Sequence, residues 1–376
     1  MVSPVEVMAP PRTYFSPDYA TARSRFRLAT QQADGRLSSL ALAPAGPGGD
    51  DLTIDVAWLG AHTPKRALIH SSGVHGVEAF AGSAIQVRWL VEGNRKLPRD
   101  TAIILVHVLN PYGMAWLRRV NEHNVDLNRN FLGTNDDYAG APDGYLALDP
   151  FLNPTSPPAF ELFYIHACWL ILRHGMSALR QTVAGGQYVN PRGLFFGGTA
   201  LEDGPRAVQR YVEQRLRGVE RLVAVDVHTG LGSFGEDTIL VAADEDHHTF
   251  TRMRDAFGDR VRPTDPERGP AYRVRGSCDA MYARMFPTAD VCAVTQEFGT
   301  CNAIRVLKAL RAENRWQHHG DNRLDHPTKL ALKECFAPDS ESWRTAVLER
   351  GCAVVSQALR VLGGGQHDGP IPDARP

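Results

Sequence analysis

The chain alternates short apolar runs with longer stretches in which apolar residues recur at helical spacing. Residues 67–70, 101–108, 222–227 and 291–295 are apolar and rich in β-branched side chains, which predicts core strands. Residues 38–42 and 52–59 read as two more strands, and the Gly- and Pro-rich loop 43–49 between them predicts a hairpin. A further strand is expected over 238–242. Helical spacing covers 77–91, 206–217, 247–257, 279–285, 303–317, 327–335 and 340–362. An opening helix should start at Ser16, Pro17 and Asp18, which supply a hydroxyl cap, proline at the first helical position and an acid in the first turn, and end near Gly35. Strand, helix and strand over 67–108 make a crossover unit, which favours parallel pairing and an α/β fold.

One region departs from this rhythm. Residues 139–158 are rich in Pro, Gly and Asp and read as a long surface excursion, followed by helices over 158–174 and 176–183. The longest apolar block, 159–172, is interrupted by Glu161 and His166 and is too short to span a bilayer, so a buried helix is expected there.

Composition narrows the partners. The 376 residues carry a net charge of −1 with a pI near 6.9, so no basic excess points to nucleic acid or an anionic membrane. Small molecules or peptides are the expected partners. Six cysteines, at 168, 278, 292, 301, 335 and 352, form no CxxC pair, and the amino terminus has no charged leader followed by an apolar run. Reduced core thiols and a cytoplasmic location are expected.

The candidate chemistry begins where the apolar run 67–70 gives way to Gly73-Val74-His75-Gly76-Val77-Glu78. His75 and Glu78 should project together from a strand-to-helix turn at the carboxyl edge of the sheet, where open α/β folds keep their ligands. Imidazole and carboxylate suit Zn²⁺, and catalytic zinc takes three protein ligands, so a third must come from a distant part of the chain. His228 and Glu297 follow two of the later apolar runs, in the same structural position as His75. Residues 118–131 concentrate three arginines, one aspartate and four asparagines. Alone this would be a solvated loop; beside a metal, guanidinium and amide groups suit carboxylates and polarised carbonyl oxygens. The glycine-and-aromatic loop 186–198 either lines a pocket or makes a packing turn.

Other motifs carry less. Gly230-Leu231-Gly232-Ser233-Phe234-Gly235 matches a dinucleotide-binding fingerprint, but a strand follows it where that fingerprint must open a helix. His107 lies inside a core strand and reads as a packed residue. His247-His248 and His318-His319 fall on polar helical segments and read as solvated.

Together His75-x-x-Glu78, Asp126-Leu127-Asn128-Arg129-Asn130-Phe131, His228 and Glu297 resemble the zinc carboxypeptidase (M14 metallopeptidase) family. With Asn110-Pro111-Tyr112-Gly113 and residues 124–131, the chain resembles more closely a bacterial branch known mainly as a domain of unknown function, DUF2817, from roughly residue 15 to 362. The resemblance implies one catalytic domain over 15–362, with an extension at 1–14 and a disordered tail at 363–376. Its sheet would be mixed, mostly parallel and twisted, of about eight strands flanked by helices. One zinc ion per chain would be held by His75, Glu78 and His228, with Asp126 on the His75 ring. Glu297 would assist attack of zinc-bound water, and Arg118 would stabilise the oxyanion, although its neighbour Arg119 fits the same place. Asn128 and Arg129 would clamp a substrate carboxylate. Tyr188 and Tyr282 are candidate substrate-binding residues, and Tyr272 is another candidate for the tyrosine that caps substrate in the carboxypeptidase A type.

The activity so implied is hydrolysis of an amide bond next to a free carboxylate, in a small peptide or peptide-like metabolite. The alternative is an N-acyl amino acid deacylase of the aspartoacylase and succinylglutamate desuccinylase type. A non-catalytic binding protein is a third reading, against which the presence of all four key residues stands.

Overall fold

The computed structural model describes residues 11–93, 96–133, 136–243, 245, 247–264, 274–321 and 323–363. Each apolar run forms its strand, giving β1 (Arg36–Ala45), β2 (Asp51–Gly60), β3 (Arg66–Ser72), β4 (Thr101–His107), β5 (Arg221–Phe234) and β6 (Asp237–Val241). β7 (Val261–Pro263), too short to announce itself by periodicity, and β8 (Asp290–Gly299) complete the set. These described strands make one sheet in the order β1-β2-β4-β3-β5-β8-β6-β7. Its centre, β4-β3-β5-β8, is parallel; β1 and β2 form the predicted hairpin, β2 runs antiparallel to β4, and β6 antiparallel to β8. The protein is therefore a single α/β domain with a mixed, mostly parallel eight-stranded sheet.

The helices are α1 (Tyr19–Gln32), α2 (Ala79–Glu92), α3 (Pro111–Ala115), α4 (Tyr145–Leu152), α5 (Phe163–His174), α6 (Met176–Ala184), α7 (Asp203–Arg215) and α8 (His248–Phe257). α9 (Cys278–Met285), α10 (Ala303–His319), α11 (Pro327–Phe336) and α12 (Glu341–Gly363) follow. Helix α1 starts later than predicted, because Asp18 rather than Ser16 accepts a hydrogen bond from the N–H of Thr21 and so is the cap. Helices cover both faces of the central strands, so consecutive residues alternate between two cores. Leu68, Ile103 and Leu105 pack with Ile85 of α2 and Val355 of α12 on one face. Ile69, Ile104 and Val106 pack with Val208 of α7 and Met281 of α9 on the other. His107 is a core residue as predicted: it is fully buried, hydrogen-bonded to Ser83 Oγ at 2.8 Å and stacked on Phe26.

Three expectations need correction. Helix α5 is not buried: only Phe163 and Ala167 are enclosed, while Ile165 is 62 % and Leu172 86 % exposed. It packs against α6 and α10. The excursion 139–158 contains helix α4, whose Tyr145, Leu148 and Leu152 are buried; Pro150 within it masked the helical signal. Finally, β5 does not end before His228, nor β8 before Glu297. Both continue, and His228 pairs directly with Glu297 in the ladder. The apolar run stopped there only because site residues replace core residues. The tail from Gly364 onward and residues 1–10 lie outside the described residues.

Candidate metal centre

The centre is assembled where β3 ends. Gly73, at φ +67°, turns the chain out of the sheet, His75 is extended, and a 3₁₀ turn from Gly76 to Glu78 opens α2. This turn is pinned to the arginine segment, since the N–H groups of Gly76 and Val77 donate to the carbonyls of Arg119 and Arg118, both at 3.0 Å. Gly76 stands against the backbone of Gly113, where an added Cβ would lie 2.0 Å from the carbonyl carbon. Because no flexible side chain can yield there, Gly76→Ala is expected to cost at least about 1–3 kcal/mol of stability. It should also displace His75. Denaturant unfolding together with metal analysis would check this; a variant unchanged in both would show that the turn gives way.

Four polar side chains orient the two imidazoles. His75 Nε2 is 3.0 Å from Asp126 Oδ1, and His228 Nε2 is 2.8 Å from Asp226 Oδ2. Ser71 Oγ donates to Asp226 Oδ1 at 2.6 Å. With each Nε2 committed to a carboxylate, both Nδ1 atoms turn to Glu78, at 2.9 Å from Oε1 for His75 and 3.3 Å from Oε2 for His228. His75 Nδ1 is buried and faces the space the three residues share, with Glu78 Oε1 as its near neighbour. The donor atoms of His75, Glu78 and His228 lie within 4.8 Å of one another. Two imidazole nitrogens and a carboxylate oxygen, each ring held from behind by an aspartate, form a donor set that fits zinc.

The charges around the centre are mutually supporting. Burial alone would raise the Glu78 carboxyl, but His75, His228 and Arg119 outweigh it and hold the group well below the usual carboxylate range. Asp126 is likewise held low against its burial by Arg119, Arg129 and His75. Glu297 behaves differently: burial pushes it up to about 7, with His228 opposing and Glu78 adding to the rise. Its Oε1 accepts the N–H of Leu231 at 2.9 Å. The metal triad and Glu297 line one cavity of about 690 Å³.

The arginines are distributed otherwise than expected. Arg118 is fully buried away from the cavity, donating to Glu313 Oε1 at 3.0 Å and to Asn124 Oδ1 at 2.9 Å. Arg119 lines the cavity instead, bonded to Glu78 Oε1 at 2.9 Å and Asp126 Oδ2 at 3.1 Å and lying over Phe195 and Phe336. The two guanidinium groups therefore point to different sides, Arg118 to Glu313 and Arg119 to Glu78. Asn128 lines the cavity and accepts the N–H of Cys278. Arg129 does not; it is fully buried, and its guanidinium donates to the carbonyls of Ala184 and Asn128. Neither expected tyrosine faces the cavity. Tyr188 donates to the Arg129 carbonyl at 2.7 Å and Tyr282 sits in the apolar core beneath the sheet. Tyr272 lies outside the described residues.

Asp226 escaped the sequence reading, as did Thr229, whose N–H donates to Glu78 Oε2 at 3.0 Å. A signal for Asp226 was present, because residues two apart on a strand share a face, and Asp226 precedes His228 by two.

Comparison with other proteins adds the following. A family model described as "Protein of unknown function (DUF2817)" matches residues 15–350. No curated protein matches the sequence. Among solved structures, the chain is similar to carboxypeptidase A from Helicoverpa armigera, at 14% identity and TM-score 0.46, over 90% of this chain and 74% of that one. It is similar to thrombin activatable fibrinolysis inhibitor at 11% identity and TM-score 0.49, over 96% and 78% of the two chains. It is also similar to a metallo-carboxypeptidase from Burkholderia cenocepacia at 13% identity and TM-score 0.44, over 92% and 70%. Likenesses this distant leave the chemistry of the site to its own residues.

Proposed function

The chain belongs to the DUF2817 family, and from that premise and the geometry of its site we propose that it is a zinc-dependent hydrolase of amide bonds. The observation that carries this reading is the convergence of His75 Nδ1, His228 Nδ1 and Glu78 on one point beside Glu297, in one cavity. His75, Glu78 and His228 would hold one zinc ion per chain. When bound, zinc supplies a Lewis acid and a water of lowered pKa.

The chain's own residues do the rest. Asp126 and Asp226 keep the Nε2 proton of each imidazole, so that each Nδ1 retains its lone pair. Glu297 takes a proton from the attacking water and passes it to the leaving nitrogen. Arg119, already turned to the cavity, stabilises the negative charge that develops on the carbonyl oxygen. Asn128 binds a polar part of the substrate.

The substrate is an amide next to a carboxylate. Removal of a C-terminal residue from a small peptide is one form of this reaction, and deacylation of an N-acyl amino acid is the other. Arg129, whose guanidinium is committed to Ala184, clamps that carboxylate in neither form and so does not separate them. Six cysteines without a disulfide support a cytoplasmic location. No described helix is long and apolar enough to cross a membrane.

Purified protein supplied with zinc should hydrolyse members of a panel of N-acyl amino acids and blocked dipeptides, and a chelator should abolish the activity. The His228→Ala variant should lose stoichiometric zinc. Hydrolysis undiminished by the chelator, or a chain that takes up no zinc, would overturn the reading; activity on blocked dipeptides alone would select the peptidase form, and activity on N-acyl amino acids alone the deacylase.

A further inference from the structure

The cavity that holds His75, Glu78 and His228, about 690 Å³, is larger than the centre itself, and its lining carries both polar and apolar side chains. Polar side chains cluster around the triad and at Asn128, Thr264, Ser277 and Asp279. Apolar side chains predominate where four helices line it, among them Leu148 and Phe151 of α4, Ile171 of α5, Leu179 of α6, and Leu307 and Leu310 of α10, with Arg180 of α6 as the one charged residue these helices contribute among the described residues. On α10 the lining residues run from Ala303 to Leu310 along one face. The seven rises of 1.5 Å between Ala303 and Leu310 make this side of the cavity about 10 Å long. That exceeds the reach of any apolar amino-acid side chain.

We infer that the apolar wall takes the extended hydrocarbon chain of a long-chain N-acyl amino acid, whose amino-acid portion lies against Asn128 and Ser277. The inference rests on the amide hydrolase reading and names its substrate class. Burial of hydrocarbon provides the selectivity. Each methylene removed from water contributes a similar increment, so affinity climbs with chain length until the wall is covered. A short acyl group leaves the wall wetted and gains none of this. The reaction balances as an ordinary hydrolysis: water adds across the C–N bond, the acyl carbon leaves as a fatty carboxylate, and the nitrogen takes the proton as the free amino acid.

The test is a series of N-acetyl, N-butanoyl, N-octanoyl and N-dodecanoyl derivatives of one amino acid. For each, kcat/KM is measured on the zinc-loaded protein, and Kd is measured by calorimetry. Both should improve by up to about fourfold per methylene over part of the series and then level off. Leu179→Trp and Ile171→Trp, which fill the space beside the wall, should each move the optimum to a shorter chain. Hydrolysis that is flat or falls with chain length overturns the inference and leaves the hydrolase reading standing. Affinity that rises with chain length without hydrolysis of any member keeps the hydrocarbon site and overturns the deacylase form of the reaction. Neither binding nor hydrolysis overturns the inference and the deacylase form together, and hydrolysis of blocked dipeptides by the same preparation then decides the amide hydrolase itself.

Discussion

Replacing Glu297 by Gln is expected to lower kcat by about 10²–10⁴-fold, the usual contribution of a positioned general acid-base group. Glutamine keeps the size of the side chain and can still accept the N–H of Leu231, so the ladder pairing of His228 with Glu297 should survive. What it loses is the ability to accept a proton and return it. Zinc content should be unchanged, because His75, Glu78 and His228 form the donor set without Glu297. Metal analysis and steady-state turnover on the same preparation check both halves. Full turnover with zinc bound would sink the proposed mechanism; loss of zinc would mean that Glu297 helps to hold the metal.

The neighbouring arginines should separate in a second experiment. Arg119→Met is expected to lower kcat by about 10²–10³-fold, the loss seen when one oxyanion donor is removed, with zinc retained. Arg118→Met should leave turnover per folded molecule nearly unchanged and cost about 3 kcal/mol of stability. The estimate sits at the lower end for a broken buried ion pair because Lys329 Nζ, 2.6 Å from Glu313, still neutralises that carboxylate. Asn124 Oδ1 loses a donor as well. Burial would raise the Glu313 carboxyl, but Arg118 and Lys329 outweigh it and leave it depressed. A depressed carboxyl contributes stability above its unfolded pKa and loses it as pH falls through the folded value. The stability gap between wild type and Arg118→Met should therefore narrow in acid. Denaturant unfolding at neutral and acidic pH, set beside turnover for both variants, decides the matter. A catalytic loss confined to Arg118→Met would return the oxyanion role to that residue.

Local patterning carried most of the secondary structure. Runs such as 67–70 and 222–227 are apolar because they lie between two helical layers, and that requirement is written in the residues themselves. The same logic failed at α5, where apolar composition suggested enclosure and the helix proved mostly exposed. Composition records that a helix is apolar, but only its neighbours determine which of its sides are covered. At α4 a proline concealed a helix whose tyrosine and leucines are fixed by contacts from elsewhere in the chain.

By itself the sequence determined the α/β class and the order of most elements, which rest on short-range pattern, and its resemblance to the zinc carboxypeptidases implied His75, Glu78, His228, Asp126 and Glu297 as a set although His228 and Glu297 lie far along the chain from His75. The tertiary structure alone decided which arginine faces the cavity, that Asp226 backs His228, and that Arg129, Tyr188 and Tyr282 are tied into the scaffold. It also created the apolar wall, which draws on α4, α5, α6 and α10. The physical reason is common to all of these: where a side chain points, and what satisfies it, depends on partners contributed by distant segments, and no local pattern encodes them.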